Sequence, residues 1–331
     1  MLGYLVRRLI SAVLVLALVS IAVFALFTYG PSDPAESMCP ESHCTPARLD
    51  QIRNNLGLDR PFFDQYGEYM KGVVAGRNID VGTDKPIECD FPCFGRSFKY
   101  NVNVWDYLKQ RMPATFSVAI GGAVCFLVIG VALGVFAARR RGTLADKAIV
   151  GVSLVIHAIP YYLLALIAFL YLVNKLGFFP DSGYVPLTQN PAKWLYALLL
   201  PWLCLGLTYS TQYARFSRGS MIEALSDDYV RTARAKGLSQ GKVVFRHALR
   251  VAIVPIVTIF GLDLAVLLAG TIFTEQIFGV QGLGLANLQA IQIGDLPIIE
   301  ATVMIAAFFV VASNVVVDML YSVLDPRVRL S

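Results

Sequence analysis

Charge is what this 331-residue chain lacks: 15% of its residues are Asp, Glu, Lys or Arg, against 56% hydrophobic. With a mean hydropathy of +0.61, that scarcity excludes an ordinary soluble domain and points to a polytopic membrane protein. Catalytic signatures are missing too, with no Gly-x-Ser-x-Gly elbow and no His-Glu-x-x-His pair. The nearest approach to a phosphate loop runs from Gly237 to Val243. It has three residues between its glycines instead of four, and Val243 stands where Ser or Thr is required. The chain is therefore not expected to be an enzyme or to hold a cofactor. Any uphill work must draw its energy from another chain or from an ion gradient.

What is present is a series of apolar runs. Residues 9–29 carry no charge and follow Arg7 and Arg8. About 20 such residues cross a bilayer as a helix, and the run exceeds the core of a cleaved signal peptide. Five more runs follow at 113–138, 149–173, 194–213, 251–274 and 298–324, predicting six spans. Basic residues orient them. Arg139, Arg140, Arg141 and Lys147 share one short loop, and 215–250 holds eight Lys or Arg. The alternate loops hold only Lys175 and Lys193, and none at 275–297, while the tail carries Arg327 and Arg329. The positive-inside rule then places both termini and 215–250 in the cytoplasm. The expected organisation is 1–30 as N-terminus and first span, 31–112 as an extracytoplasmic loop region, 113–324 as a five-helix core and 325–331 as a cytoplasmic tail. The formal net charge of +5 is explained by that topology, and no nucleic-acid partner is expected.

The loop region is polar, rich in Pro, Gly and aromatic residues, and long enough for small helices such as 45–55. It holds Cys39, Cys44, Cys89 and Cys93. In an oxidising compartment these permit two disulfides in any of three connectivities. Their spacings, and His43 beside Cys44, fit no zinc pattern, so no metal site is expected. Cys125 and Cys204 fall inside spans as small apolar residues. His157, Asp263, Glu300 and Asp318 lie within or near spans, with Asn314 one turn from Asp318. A relay would need them connected, but they are spread over different depths. Asp263, mid-span, is the candidate for a hydrophilic translocation path.

The stretch 226–249 reads as two short helices. Asp227 and Asp228 suit a helix start, Gly237 follows Lys236 where a left-handed cap is wanted, and Ser239 is placed to cap a second helix running to Arg250.

Within that stretch Asp228-Tyr229-Val230-Arg231-Thr232-Ala233-Arg234-Ala235-Lys236-Gly237-Leu238 resembles the cytoplasmic signature of binding-protein-dependent ABC transporter permeases. The narrower resemblance is to the first permease subunit of the oligopeptide/dipeptide branch, whose variant replaces the leading Glu-Ala by Arg231-Thr232. Leu56-Gly57-Leu58-Asp59-Arg60-Pro61 with Gln65-Tyr66, Arg111-Met112-Pro113-Ala114-Thr115, Phe278-Gly279-Val280-Gln281-Gly282-Leu283-Gly284 and Leu324-Asp325-Pro326-Arg327 agree, in order along nearly the whole chain. The departure is the stretch 80–94, with Cys89 and Cys93, which looks inserted before Gly95.

The resemblance implies an all-α type I importer permease of six transmembrane helices in a bacterial cytoplasmic membrane. It implies a second permease, two ATP-binding subunits (separate or fused) carrying the ATP and Mg, and an extracytoplasmic substrate-binding protein. Asp228, Tyr229, Arg231, Ala233, Arg234, Lys236 and Gly237 would meet an ATPase cleft, the small Ala233 and Gly237 allowing close approach. The segment 279–284, with Gly279, Gly282 and Gly284, would be an outer gate, a partly re-entrant helix or an ordinary turn. Di- and oligopeptides are the implied substrates, with nickel chelates or glutathione as family alternatives. An ion-coupled secondary transporter is the alternative of a different class.

Overall fold

Backbone groups in hydrocarbon must bond within their own segment, and the apolar runs accordingly form long helices. The computed structural model describes residues 2–30, 35, 45–56, 58–79, 87–97, 99–181 and 183–324. Cys39, Cys44 and the expected tail 325–331 lie outside them. Helix α1 (Leu2–Thr28) leads to α2 (Pro46–Leu56) and α3 (Phe62–Ala75). Strands β1 (Arg77–Ile79) and β2 (Ile87–Cys89) form an antiparallel hairpin with Arg77 opposite Cys89, and α4 (Val104–Lys109) follows. Of the stretch 80–94 that looks inserted in the sequence, the described residues 87–89 supply the second strand of this small hairpin.

Helix α5 (Met112–Arg139) starts on Pro113, whose fixed φ suits a first turn. Two helices come next, α6 (Leu144–Ala158) and α7 (Tyr161–Lys175), bent by 91° to each other. The expected third span, 149–173, is thus broken. Ile159 is held extended (φ −82°, ψ 123°) by the following proline, and Pro160 is itself extended (φ −56°, ψ 133°). Two extended residues in succession make a corner rather than a kink. Helix α8 (Pro191–Ser226) opens on Asn190, whose side chain accepts from the Lys193 amide at 3.0 Å, and continues well past residue 213.

After α9 (Asp228–Ala235) the chain does not form a separate helix ending at Arg250. Gln240 begins α10 (Gln240–Ala269), one helix wound wide between Val243 and Ala248. Gly270, at φ +140°, ends it short of the expected residue 274. Helices α11 (Ile272–Ile277), α12 (Leu283–Ile293) and α13 (Leu296–Leu324) complete the chain. Among the described residues, five helices are long and apolar enough to cross a membrane, and the bent pair makes a sixth.

The core is the α5–α8 pair. A Cβ on Gly130 would stand 2.4 Å from that of Tyr213, and one on Gly134 2.5 Å from that of Ser217. Small residues four apart let the two backbones approach this closely. Phe126, Leu198, Leu205 and Tyr213 are buried beside them. Two further clusters mark the ends: Val135, Met221, Val230 and Val244 at the basic end, and Leu108, Leu283, Ala290 and Ile298 at the hairpin end.

Candidate functional site

Helix α9 hangs from the basic end by one apolar face. Val230 and Ala233 are buried, in a cluster with Val135, Met221, Ala224, Val244 and Ala248. Asp228, Arg231, Arg234, Ala235 and Lys236 are exposed. The Asp227 carboxylate accepts from the Asp228 amide at 2.7 Å, and Arg231 reaches Asp228 at 3.3 Å. That second contact is an exposed pair of small energetic weight. Tyr229 is half-buried with its hydroxyl unpartnered, and burial pushes its phenol up. Gly237 takes φ +75°, the left-handed cap expected after Lys236, with open space where a Cβ would sit. Ser239 occupies the N-cap position of α10 but makes no side-chain cap bond. Arg139, Arg141 and Arg234 line a cavity of about 230 Å³ between α5, α8, α9 and α10. Nearby, Arg218 of α8 holds Asp146 through both carboxylate oxygens.

At the hairpin end the glycine-rich segment is set around a buried carboxylate. Glu275 accepts from the Thr115 hydroxyl at 2.8 Å, the Leu285 amide at 2.7 Å and the Thr271 hydroxyl at 3.3 Å. Thr115 in turn accepts from the Leu283 amide at 2.7 Å, so two first-turn donors of α12 are satisfied from outside the helix. Burial pushes the Glu275 carboxyl up, while these donors pull it back. Gly282 is required here, since a Cβ would fall 2.4 Å from the Glu275 carboxyl carbon. Gly284 packs against Ile272, and Gly279 turns at φ +63°. Helix α12, about 16 Å long, is too short to cross a membrane. Cys89 and Cys93 are joined by a disulfide at the end of the hairpin.

The intramembrane ionisable groups are separated, each with its own partner. Tyr213 donates to Asp263 Oδ2 at 2.8 Å. His157 Nδ1 lies 3.5 Å from the Thr211 hydroxyl, and Arg8 pairs with Asp318. Glu300 is buried beside Tyr69 and Arg77 and keeps one oxygen unpartnered. No described hydrogen bond links one of these groups to the next, so the structure assembles no relay.

The family profile described as "Binding-protein-dependent transport system inner membrane component" matches residues 130–330, and that for the N-terminal part of the same membrane component matches 1–119. The chain belongs to this permease family. It is 33% identical to the Di/tripeptide transport system permease protein DppB of Pseudomonas aeruginosa (strain UCBPP-PA14), over 99% of each chain. It is 32% identical to the Dipeptide transport system permease protein DppB of Escherichia coli (strain K12), again over 99% of each. A solved structure of the MetNI methionine ABC transporter, inward facing, is similar at a TM-score of 0.49 and 19% identity, covering 67% of this chain and 94% of that chain. The protein is thus a multi-pass inner-membrane ABC transporter permease, with its third span bent.

Within the permease, sequence reasoning found α9 and its caps but assigned no role to Glu275, Thr115 or the Asp146–Arg218 pair. Nothing local marks Glu275, whose neighbours are Thr274 and Gln276; its place becomes clear only once Gly282 is seen beside it. Ala233, grouped by the sequence with the residues that would meet an ATPase cleft, is buried in the chain's own core.

Proposed function

We propose that this permease is the membrane subunit of an ATP-driven importer of di- and oligopeptides, forming the path together with a second permease. The observation that carries the reading is similarity along the whole length to two permeases named for di- and tripeptide transport. The basic end faces the cytoplasm, as its Arg and Lys content favours, with both termini on that side. The hairpin end faces outward, where an oxidising compartment suits the Cys89–Cys93 bond and a binding protein delivers substrate. Helix α9 meets one of two ATP-binding subunits through Arg231, Arg234 and Lys236, whose charges suit acidic rims. Its buried face passes the ATPase motion into α5, α8 and α10, rocking the spans between two access states. ATP and Mg bind on those partner subunits.

Uptake of a labelled dipeptide in cells lacking this chain tests the reading, alongside cells with the chain restored. Loss of uptake that the restored chain reverses is expected. Unchanged dipeptide uptake, with loss of nickel-chelate or glutathione uptake instead, overturns the substrate class.

A further inference from the structure

One polar group in the middle of the spans is not accounted for by packing. Asp263 lies on α10, bonded to Tyr213 of α8. The Tyr213 ring packs on Phe126, at a centroid distance of 4.8 Å, and Phe126 stands half-way along α5. Tyr209 and Phe260 pack on the same ring at 5.4 and 5.9 Å. The pair therefore sits at mid-membrane depth in an aromatic setting.

Only one oxygen of the Asp263 carboxylate is engaged. Among the described residues Oδ1 has no hydrogen-bond partner, and it is not a buried atom. No Lys, Arg or His of the described chain pairs with Asp263. An open, uncompensated carboxylate at this depth cannot face lipid tails without a large penalty, so its open side belongs to a water-lined path. Leu262 and Val266, next to it on α10, are exposed, as a surface bordering such a path or a second permease would be. Tyr213 fixes the carboxylate's direction and leaves one oxygen free for a cation.

Cargo supplies that cation if the reading above holds, on which this inference rests. Side chains differ from one peptide to the next, but nearly every one carries an α-amino group that is largely protonated at neutral pH. A path that passes many sequences can recognise only what they share. We propose that Asp263, oriented by Tyr213, receives the α-ammonium group of the peptide during its passage.

The test uses the full transporter with its second permease, ATPases and binding protein, in proteoliposomes supplied with labelled dialanine. Wild-type uptake checks the peptide reading by itself: no uptake there sinks that reading and this inference with it. If wild type imports, Asp263→Asn is expected to lower initial uptake at least tenfold, and Asp263→Glu to stay within about threefold of wild type. Equal uptake by wild type and Asp263→Asn overturns the inference, and so does an equal loss in both variants. Loss of the co-purifying second permease from Asp263→Asn also overturns it, assigning the carboxylate to the subunit contact.

Discussion

Arg218 grips Asp146 with its fork, Nε to Oδ1 at 2.5 Å and Nη2 to Oδ2 at 2.8 Å, and the Gly142 amide adds a third donor at 2.9 Å. The contact ties the start of α6 to the basic-end half of α8, with Asp146 buried and Arg218 partly so. Asp146→Ala is expected to lower stability by about 2 kcal/mol, since the partly buried Arg218 would lose its counter-charge and the Gly142 amide its acceptor. Arg218→Lys keeps the charge, loses the fork and should cost less. Thermal unfolding of the detergent-solubilised chain gives the order. Equal melting temperatures for wild type and Asp146→Ala would mean the pair is ornamental.

Gly134 predicts a steric effect. A Cβ there would meet the Ser217 Cβ at 2.5 Å and the Ala214 carbonyl at 2.6 Å, both on α8 and neither free to swing away. Gly134→Ala should destabilise the α5–α8 pair by about 1–3 kcal/mol, and Gly134→Leu by more. Gly151, where a Cβ would meet nothing within 4 Å, is the control, and alanine should be tolerated there. Yield of folded protein by size-exclusion chromatography distinguishes the two sites.

Glu275→Ala removes the acceptor of three donors, leaving the Leu285 amide and the Thr115 hydroxyl buried without it. Each unsatisfied donor costs about 1–3 kcal/mol. Glu275→Gln keeps one acceptor oxygen and should recover part of the loss. Limited proteolysis at 270–294 should be faster in the order Ala, Gln, wild type, and identical rates in all three would remove Glu275 from any structural role.

Helix α9 offers a way to separate coupling from folding. Ala235 is exposed and Ala233 is buried against α5, α8 and α10. Ala235→Trp should abolish the ATP hydrolysis stimulated by loaded binding protein while leaving the melting temperature within about 2 °C of wild type. Ala233→Trp should depress both through overpacking. Gly237→Trp forces a bulky residue into φ +75°, at about 1–2 kcal/mol, and places its ring on the exposed side. Normal coupling in both Ala235→Trp and Gly237→Trp would contradict α9 as the ATPase contact.

How much was legible in the sequence follows from how far each cause reaches along the chain. Asp227 and Gly237 act within a turn of themselves, so the limits of α9 could be read directly. The corner at Ile159–Pro160 was legible as a disturbance but not as 91°, because its size depends on what α6 and α7 pack against. The burial of Ala233 was not legible, because either face of an eight-residue helix can be the inner one until Val135 and Val244 are seen beside it. Glu275 was silent because Thr115 lies 160 residues away. Asp263 showed as an oddity, and only Tyr213 told which oxygen stays free.

Helix α10 runs unbroken for 30 residues, about 45 Å, from beside the α9 cap to Gly270. Its irregular places are the wide turns at Val243–Ala248 and Pro255, both nearer its foot than Asp263, while Gly261 beyond them is clamped against Val317 of α13. Beyond Pro255 there is no slack to absorb a displacement. A tilt that survives those two joints must appear undiminished at the height of Asp263 and at the Gly270 break. The position of that compliance, rather than the strength of any single contact, decides how much of a push at the foot is felt at mid-membrane.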